Sequence, residues 1–267
     1  MIYLNGILFA FLGTLFTFFI TTCGALGVFC IRKEIGGGLQ RGFLGFAGGV
    51  MIAASIWSLL LPGITQAEEN EQIGWLVVTG GFLLGVVLLI LSDSSVRKWY
   101  VKQENKPVTL RKSTMMLVMA VTVHNIPEGM AVGLAFALAA QSVEDAALLS
   151  GAIALTLGIA IQNFPEGTAV ALPLMNEGMS RKKAFLVASM TAIVEPVFGV
   201  IAATFVSFFN ICIPVFLAFA AGTMIYVVVE ELIPQAHMTD GESEGKEGTL
   251  GFIVGFLIMM ILDVGLG

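Results

Sequence analysis

The chain has 267 residues, 57% of them hydrophobic and only 12% charged, with a formal net charge of −6 and a mean hydropathy of +0.93. Soluble domains carry about 25% charged residues, so a water-soluble enzyme is excluded. The balance of 13 basic against 19 acidic residues excludes a nucleic-acid binder. What remains is an all-α, polytopic membrane protein.

Apolar runs bounded by polar clusters predict eight helices, at approximately 3–31, 42–64, 73–96, 114–138, 146–174, 184–208, 212–236 and 249–266. The first run begins MIYLNGILFAFLGTLF, with no basic leader and no small-residue cleavage pattern. It therefore reads as a span and not as a removable signal. Continuous apolar runs also exclude a strand-built barrel, which alternates in segments of about ten residues. The loops are too short for a second domain, so residues 1–267 read as one transmembrane domain. Cys23, Cys30 and Cys212 lie in apolar stretches without CxxC spacing and read as small buried hydrophobes.

Orientation follows from the basic residues. Arg32, Lys33 and Arg41 flank the first loop, and Arg97, Lys98, Lys102, Lys106, Arg111 and Lys112 occupy the third. Arg181, Lys182 and Lys183 occupy the fifth, and Lys246 the seventh. The even-numbered loops hold Glu68, Glu69 and Glu71, then Glu144 and Asp145, then Asn210. The positive-inside rule makes the odd loops cytoplasmic and places both termini outside the cell membrane. Tyr3, Trp75, Trp99 and Tyr100, near span ends, suit an interfacial aromatic belt. Asp93 and Asp263, close to helix ends, read as solvated.

Acids inside spans are costly, and an intramembrane ionisable group is a functional-site candidate by default. Glu128, Glu166 and Glu195 all lie deep in predicted helices. The fourth helix reads His124-Asn125-Ile126-Pro127-Glu128-Gly129-Met130-Ala131-Val132, and the fifth Gln162-Asn163-Phe164-Pro165-Glu166-Gly167-Thr168-Ala169-Val170. Seven of the nine positions agree if His and Gln count as equivalent ligands. One span and one loop separate the copies, so they run in opposite directions, and inverted repeats meeting near the midplane mark transporters. Glu128 lies about 14 residues from the inner end of its helix and Glu166 about 8–11 from the inner end of its own. At about 1.5 Å per residue the two carboxylates can meet.

The i−4 residues His124 and Gln162, and the i−3 residues Asn125 and Asn163, share a helix face with their glutamates. Pro127 and Pro165 remove a backbone donor and free the carbonyls of Val123 and Ile161. Gly129 and Gly167 permit close helix approach. Two carboxylates balance a divalent cation. Imidazole, amide oxygen and carboxylate together favour a borderline first-row ion such as Zn2+, with Cd2+, Fe2+, Mn2+ and Co2+ as competitors.

HNIPEG and QNFPEG in an eight-span chain with outward termini resemble the ZIP family of divalent metal transporters. The Gln opening the second motif is similar to the GufA-like bacterial branch. The likeness runs along essentially the whole chain, including MIAASIWSLLLPG in the second helix and EELIPQAH at the end of the seventh. It implies a binuclear site, with Met51, His124, Glu128, Gln162 and Glu166 at one ion position. Asn125, Asn163 and Glu195 would form the second, sharing Glu128 and Glu166. This chain departs from the branch at Asn163, where Asp is expected, and the neutral amide lowers the second position's charge. The resemblance further implies no catalytic cofactor, alternating access by an elevator-like sliding of one helix bundle against another, and a homodimer in the lipid bilayer.

Several residues keep two readings. Glu195 precedes Pro196 and either contacts metal or kinks the sixth helix. Ser58 either lines the path or packs helices. Glu230 and Glu231, near Pro234 and His237, are either an exit path or interfacial charge. The competing functions are a metal-gated channel or sensor, and an intramembrane metalloprotease. The latter needs ligands such as HExxH, and the chain has only two histidines, His124 and His237, far apart.

Overall fold

The computed structural model describes residues 2–30, 37–102, 112–141, 146–237 and 246–266, with side chains at all of these except 2–4, 92–102, 112–117, 120, 210 and 266. Among the described residues there is helix and no strand, because apolar segments in lipid must satisfy their backbone groups internally. Eight helical segments are long and apolar enough to span a membrane: Asn5–Cys30, Gly37–Glu69, Gly74–Leu91, Val121–Gln141, Ala146–Asn176, Arg181–Phe208, Ile213–His237 and Glu247–Gly265. These match the eight expected from hydropathy. Tyr3, Asp93, Trp99 and Tyr100, most of the third basic loop, and Glu144 and Asp145 fall outside the described side chains.

The spans sort into two groups by what they pack against. The first, fourth, fifth and sixth spans contact one another, and the second, third, seventh and eighth form the other group. The groups meet where the fifth span lies against the second and eighth, and the seventh against the fourth. The fourth span is the most enclosed, with 78% of its apolar window buried against 22% for the eighth. The motif helix thus lies in the interior, while much of the eighth span faces outward with side chains such as Leu250, Ile261 and Val264.

Proline shapes the helices, but not where the motifs suggest. Both motif helices stay α-helical through Pro127 and Pro165. The breaks come elsewhere. The second span widens into a π-helical turn at Ser55–Leu60, just before Pro62, and the seventh does so at Val228–Leu232, before Pro234. A proline ring clashes with the carbonyl four residues back, and an inserted π turn relieves the clash. The sixth span breaks outright: one helix ends at Thr191 and the next starts at Val194, with Glu195 in its first turn and Pro196 after it. A carboxylate there meets the positive end of the helix dipole.

Glycines set the closeness of packing at the motifs. A Cβ at Gly129 would collide with the backbone of Glu195, and one at Gly167 with the backbone of Thr21 and Ala25. Spans four and six, and spans five and one, therefore touch backbone to backbone. Thr168 reinforces the second contact, its hydroxyl donating to the Gly24 carbonyl at 2.6 Å.

Two sequence readings are corrected. Cys30 is exposed and Cys23 and Cys212 are only partly covered, so none is a buried hydrophobe; in lipid a thiol loses little by facing outward. Asp263 is not simply solvated: it accepts a 2.6 Å hydrogen bond from Ser58, and its other oxygen is buried. Ser58 packs the second span against the eighth.

A single added methyl distinguishes close packing from open space. Gly129→Ala should destabilise the protein by about 1–3 kcal/mol, the usual cost of overpacking. Gly151→Ala, where nothing lies within 4 Å, should leave stability unchanged or slightly higher. Thermal unfolding in detergent, followed by size-exclusion chromatography, reads the difference.

Candidate metal site

The two motif copies meet. Gln162 Nε2 donates to Glu128 Oε1 at 2.6 Å, joining the fifth span to the fourth. Behind this pair Asn163 Nδ2 donates to Glu195 Oε1 at 3.0 Å, joining the fifth span to the sixth. The charges of Glu128, Glu166 and Glu195 lie within electrostatic reach of one another, and Glu166 faces His124 and Asn125. The α-helical period accounts for this: each motif puts its i−4, i−3 and i residues on one face, and the glycines let the faces close.

A cavity of about 170 Å³ reaches this cluster. Met51, His124, Glu128, Gln162 and Glu166 line it, which brings together five of the eight residues expected to hold metal. Asn125, Asn163 and Glu195 do not line it; they sit behind its wall at 0% exposure. The cavity therefore separates the two groups that the family resemblance assigns to two ion positions.

The opposite wall comes from the other helix group. Gln40, Phe43 and Leu44 of the second span line it, as do Glu231, Leu232 and Gln235 of the seventh. Glu231 is the functional candidate that the sequence left undecided. Its Oε2 lies 3.3 Å from His124 Nε2, within ion-pair range although not aligned for a hydrogen bond. The π turn at Val228–Leu232 carries Glu231 on the cavity side, while Glu230 is exposed. A π turn has no signature in hydropathy, but a Glu-Glu pair four and three residues before Pro234 was the available clue.

The cavity extends in one direction only from the motifs. Gln40 and Asn176, both exposed, mark its mouth at the end carrying the odd-numbered basic loops. Toward the other end the helices are filled by buried apolar side chains. Leu134, Leu155, Ile159, Leu217 and Met224 each have 0% exposure.

The donors suit a cation. Glu128 Oε2, Glu166 Oε1, Gln162 Oε1 and His124 Nε2 are all buried without a hydrogen-bond partner. Behind the cavity wall Asn125 Nδ2 and Oδ1, Asn163 Oδ1 and Glu195 Oε2 are likewise buried without a partner. Buried polar atoms are ordinarily paired, and so many unpaired ones in one cluster suit a bound cation. Among the described residues no three His, Cys, Asp or Glu side chains form a closed ligand set by themselves. An ion held here would draw on the amide of Gln162 and the thioether of Met51 as well.

Fold and site together define a class: an eight-span helical membrane protein with a buried, cation-suited cavity between two helix groups. A family model described as "ZIP Zinc transporter" matches residues 103–263. Zinc transporter ZIPB of Bordetella bronchiseptica is 36% identical, over 97% of this chain and 82% of its own length. Zinc transporter ZIP11 of Homo sapiens is 33% identical over 97% of both chains, and zinc transporter GufA of Myxococcus xanthus 32% over 92% and 94%. The chain belongs to the ZIP zinc transporter family, and is accordingly a membrane transporter of divalent metal ions and not an enzyme.

Cysteine labelling tests the one-sided cavity. With Cys23, Cys30 and Cys212 replaced by Ser, Gln40→Cys should react with a membrane-impermeant maleimide added on the odd-loop side. Leu155→Cys should stay unmodified from either side. Comparable labelling of both positions would contradict an apolar seal.

Proposed function

We propose that the protein carries Zn2+ or a similar divalent ion, Cd2+ included, across the cytoplasmic membrane into the cytoplasm. The ion is held by Glu128 and Glu166 with His124, Gln162 and Met51. The observation that carries this reading is the pair of carboxylates from antiparallel helices, each with one buried oxygen unpartnered, in one cavity that extends toward one end of the molecule only. Two carboxylates neutralise a divalent charge, which makes an ion tolerable at membrane depth. Imidazole and thioether beside carboxylate and amide oxygen favour borderline ions over Mg2+ or Ca2+.

The basic residues put the mouth of the cavity on the cytoplasmic side. In this arrangement the site is sealed from the outside by apolar side chains and communicates with the cytoplasm past Glu231, Gln235 and Gln40. Glu231 competes for His124 at the inner edge of the site, which gives the ion a carboxylate to meet as it leaves. The ion position lies between the two helix groups, four of its ligands on the first, fourth, fifth and sixth spans and Met51 on the other. Displacing one group along the other would move those four ligands away from the seal. Exposed Glu68, Glu69 and Glu71 on the outer loops would concentrate cations at the outer face. A homodimer in the bilayer accords with the resemblance.

Uptake into proteoliposomes tests the assignment. Glu128→Ala and Glu166→Ala should each slow Zn2+ uptake by at least about tenfold, in line with the effect of losing support at metal sites. Competition with Cd2+, Fe2+, Mn2+ and Co2+ should be strong, and competition with Mg2+ and Ca2+ weak. Wild-type rates in both variants would refute the ion position.

A further inference from the structure

The cavity is far larger than an ion requires. A water-sized particle needs a void of only about 10–15 Å³, and an apolar protein cavity of about 150 Å³ takes up benzene. The cavity here measures about 170 Å³. Its surplus space has apolar walls. Phe43, Leu44 and Ala47 of the second span and Leu232 of the seventh stand on one side, with Val121 of the fourth span and Leu172 of the fifth on the other. Ala47 precedes Met51 by one helical turn, on the side of the mouth. Water is poorly held by such walls, because an ordered water needs about two to four polar partners. An apolar group that displaces loosely held water gains affinity.

The ligand end of the cavity is acidic. Glu128, Glu166 and Glu231 line it, and among the described residues no Lys or Arg does. Three buried acceptor oxygens there have no hydrogen-bond partner: Glu128 Oε2, Glu166 Oε1 and Gln162 Oε1. A primary ammonium group supplies three N–H donors and one positive charge, and offers no acceptor to clash with the carboxylates.

Resting on the ion position assigned above, we propose that this cavity also binds primary organic ammonium ions whose apolar body is about the size of benzene. The ammonium takes the ion position against Glu128, Glu166 and Gln162, and the body fills the apolar vestibule between that position and the mouth. Such a ligand excludes the metal ion. Its body also touches walls contributed by both helix groups, so it holds them in the arrangement seen here. Ammonium compounds of this class are therefore inhibitors of transport that compete with the ion.

Benzylamine is the probe, titrated calorimetrically into the zinc-free full-length chain in detergent against protein-free micelles. It should bind once per chain. Its affinity should exceed that of methylamine, which lacks the ring, and of benzyl alcohol, which lacks the charge, by about tenfold or more in each case. The first factor is that of burying a phenyl-sized surface, the second that of a charge-assisted hydrogen bond. Added Zn2+ should weaken benzylamine binding in proportion to its concentration. Ala47→Phe, which fills the vestibule, should abolish benzylamine binding and retain Zn2+ binding. Benzylamine that binds no more tightly than either reference compound, that is indifferent to Zn2+, or that still binds well-folded Ala47→Phe would overturn the proposal. If Ala47→Phe does not fold, the wild-type comparisons decide. The ion position is judged separately, by Zn2+ titration of Glu128→Gln/Glu166→Gln. Zn2+ binding that survives in this double variant overturns the ion position. Zn2+ binding lost there, with benzylamine failing in wild type, overturns the ammonium site alone.

Discussion

Negative charge in lipid is expensive: a single acidic side chain at the centre of a span costs about 2.5–3.5 kcal/mol on insertion scales. This chain gathers three such groups in one cluster, Glu128 and Glu195 buried and Glu166 partly so. No Lys or Arg lines the cavity that Glu128 and Glu166 reach, so the arrangement suits a mobile cation. The rest of the structure serves that arrangement. The close glycine contacts at Gly129 and Gly167 bring the carboxylate-bearing helices together, the amides of Gln162 and Asn163 hold two of the acids in place, and the enclosed fourth span keeps lipid away.

The same constraint explains the distribution of helix distortions. The two motif helices remain regular, which preserves the i−4, i−3 and i relationship that aims each ligand set at one point. The irregular turns fall in the surrounding spans instead. The π turn in the seventh turns Glu231 toward His124, and the break in the sixth puts Glu195 at a helix start. The motif residues are thus held on continuous α-helix, and the surfaces they meet are shaped by proline.

The back of the cluster differs from the front in access. Asn125, Asn163 and Glu195 are as buried as any residue in the protein, yet the cavity stops short of them. The 3.0 Å bond from Asn163 to Glu195 joins the fifth span to the sixth there.

Much of this was readable from the chain. Hydropathy determines the spans because each helix must satisfy its own backbone in lipid, and charge scarcity makes Glu128 and Glu166 conspicuous. The repeated motif, with its opposed direction, was enough to say that the two acids meet. Sequence periodicity is local, however, and says nothing about which surface faces a motif across a cavity. That Glu231 and not Glu230 approaches His124, that Asp263 is bonded to Ser58, that Cys30 is exposed, and that the helices stay intact at Pro127 and Pro165 but yield near Pro62, Pro196 and Pro234 all depend on neighbours distant in the chain. The sequence by itself determined the class of protein, the spans and the residues that need a cation, because those follow from the solvent each segment must inhabit. Only the tertiary structure decided which of those residues reach the cavity and which are tied off behind it, because close packing between helices, and not any single helix, sets where space is left for an ion.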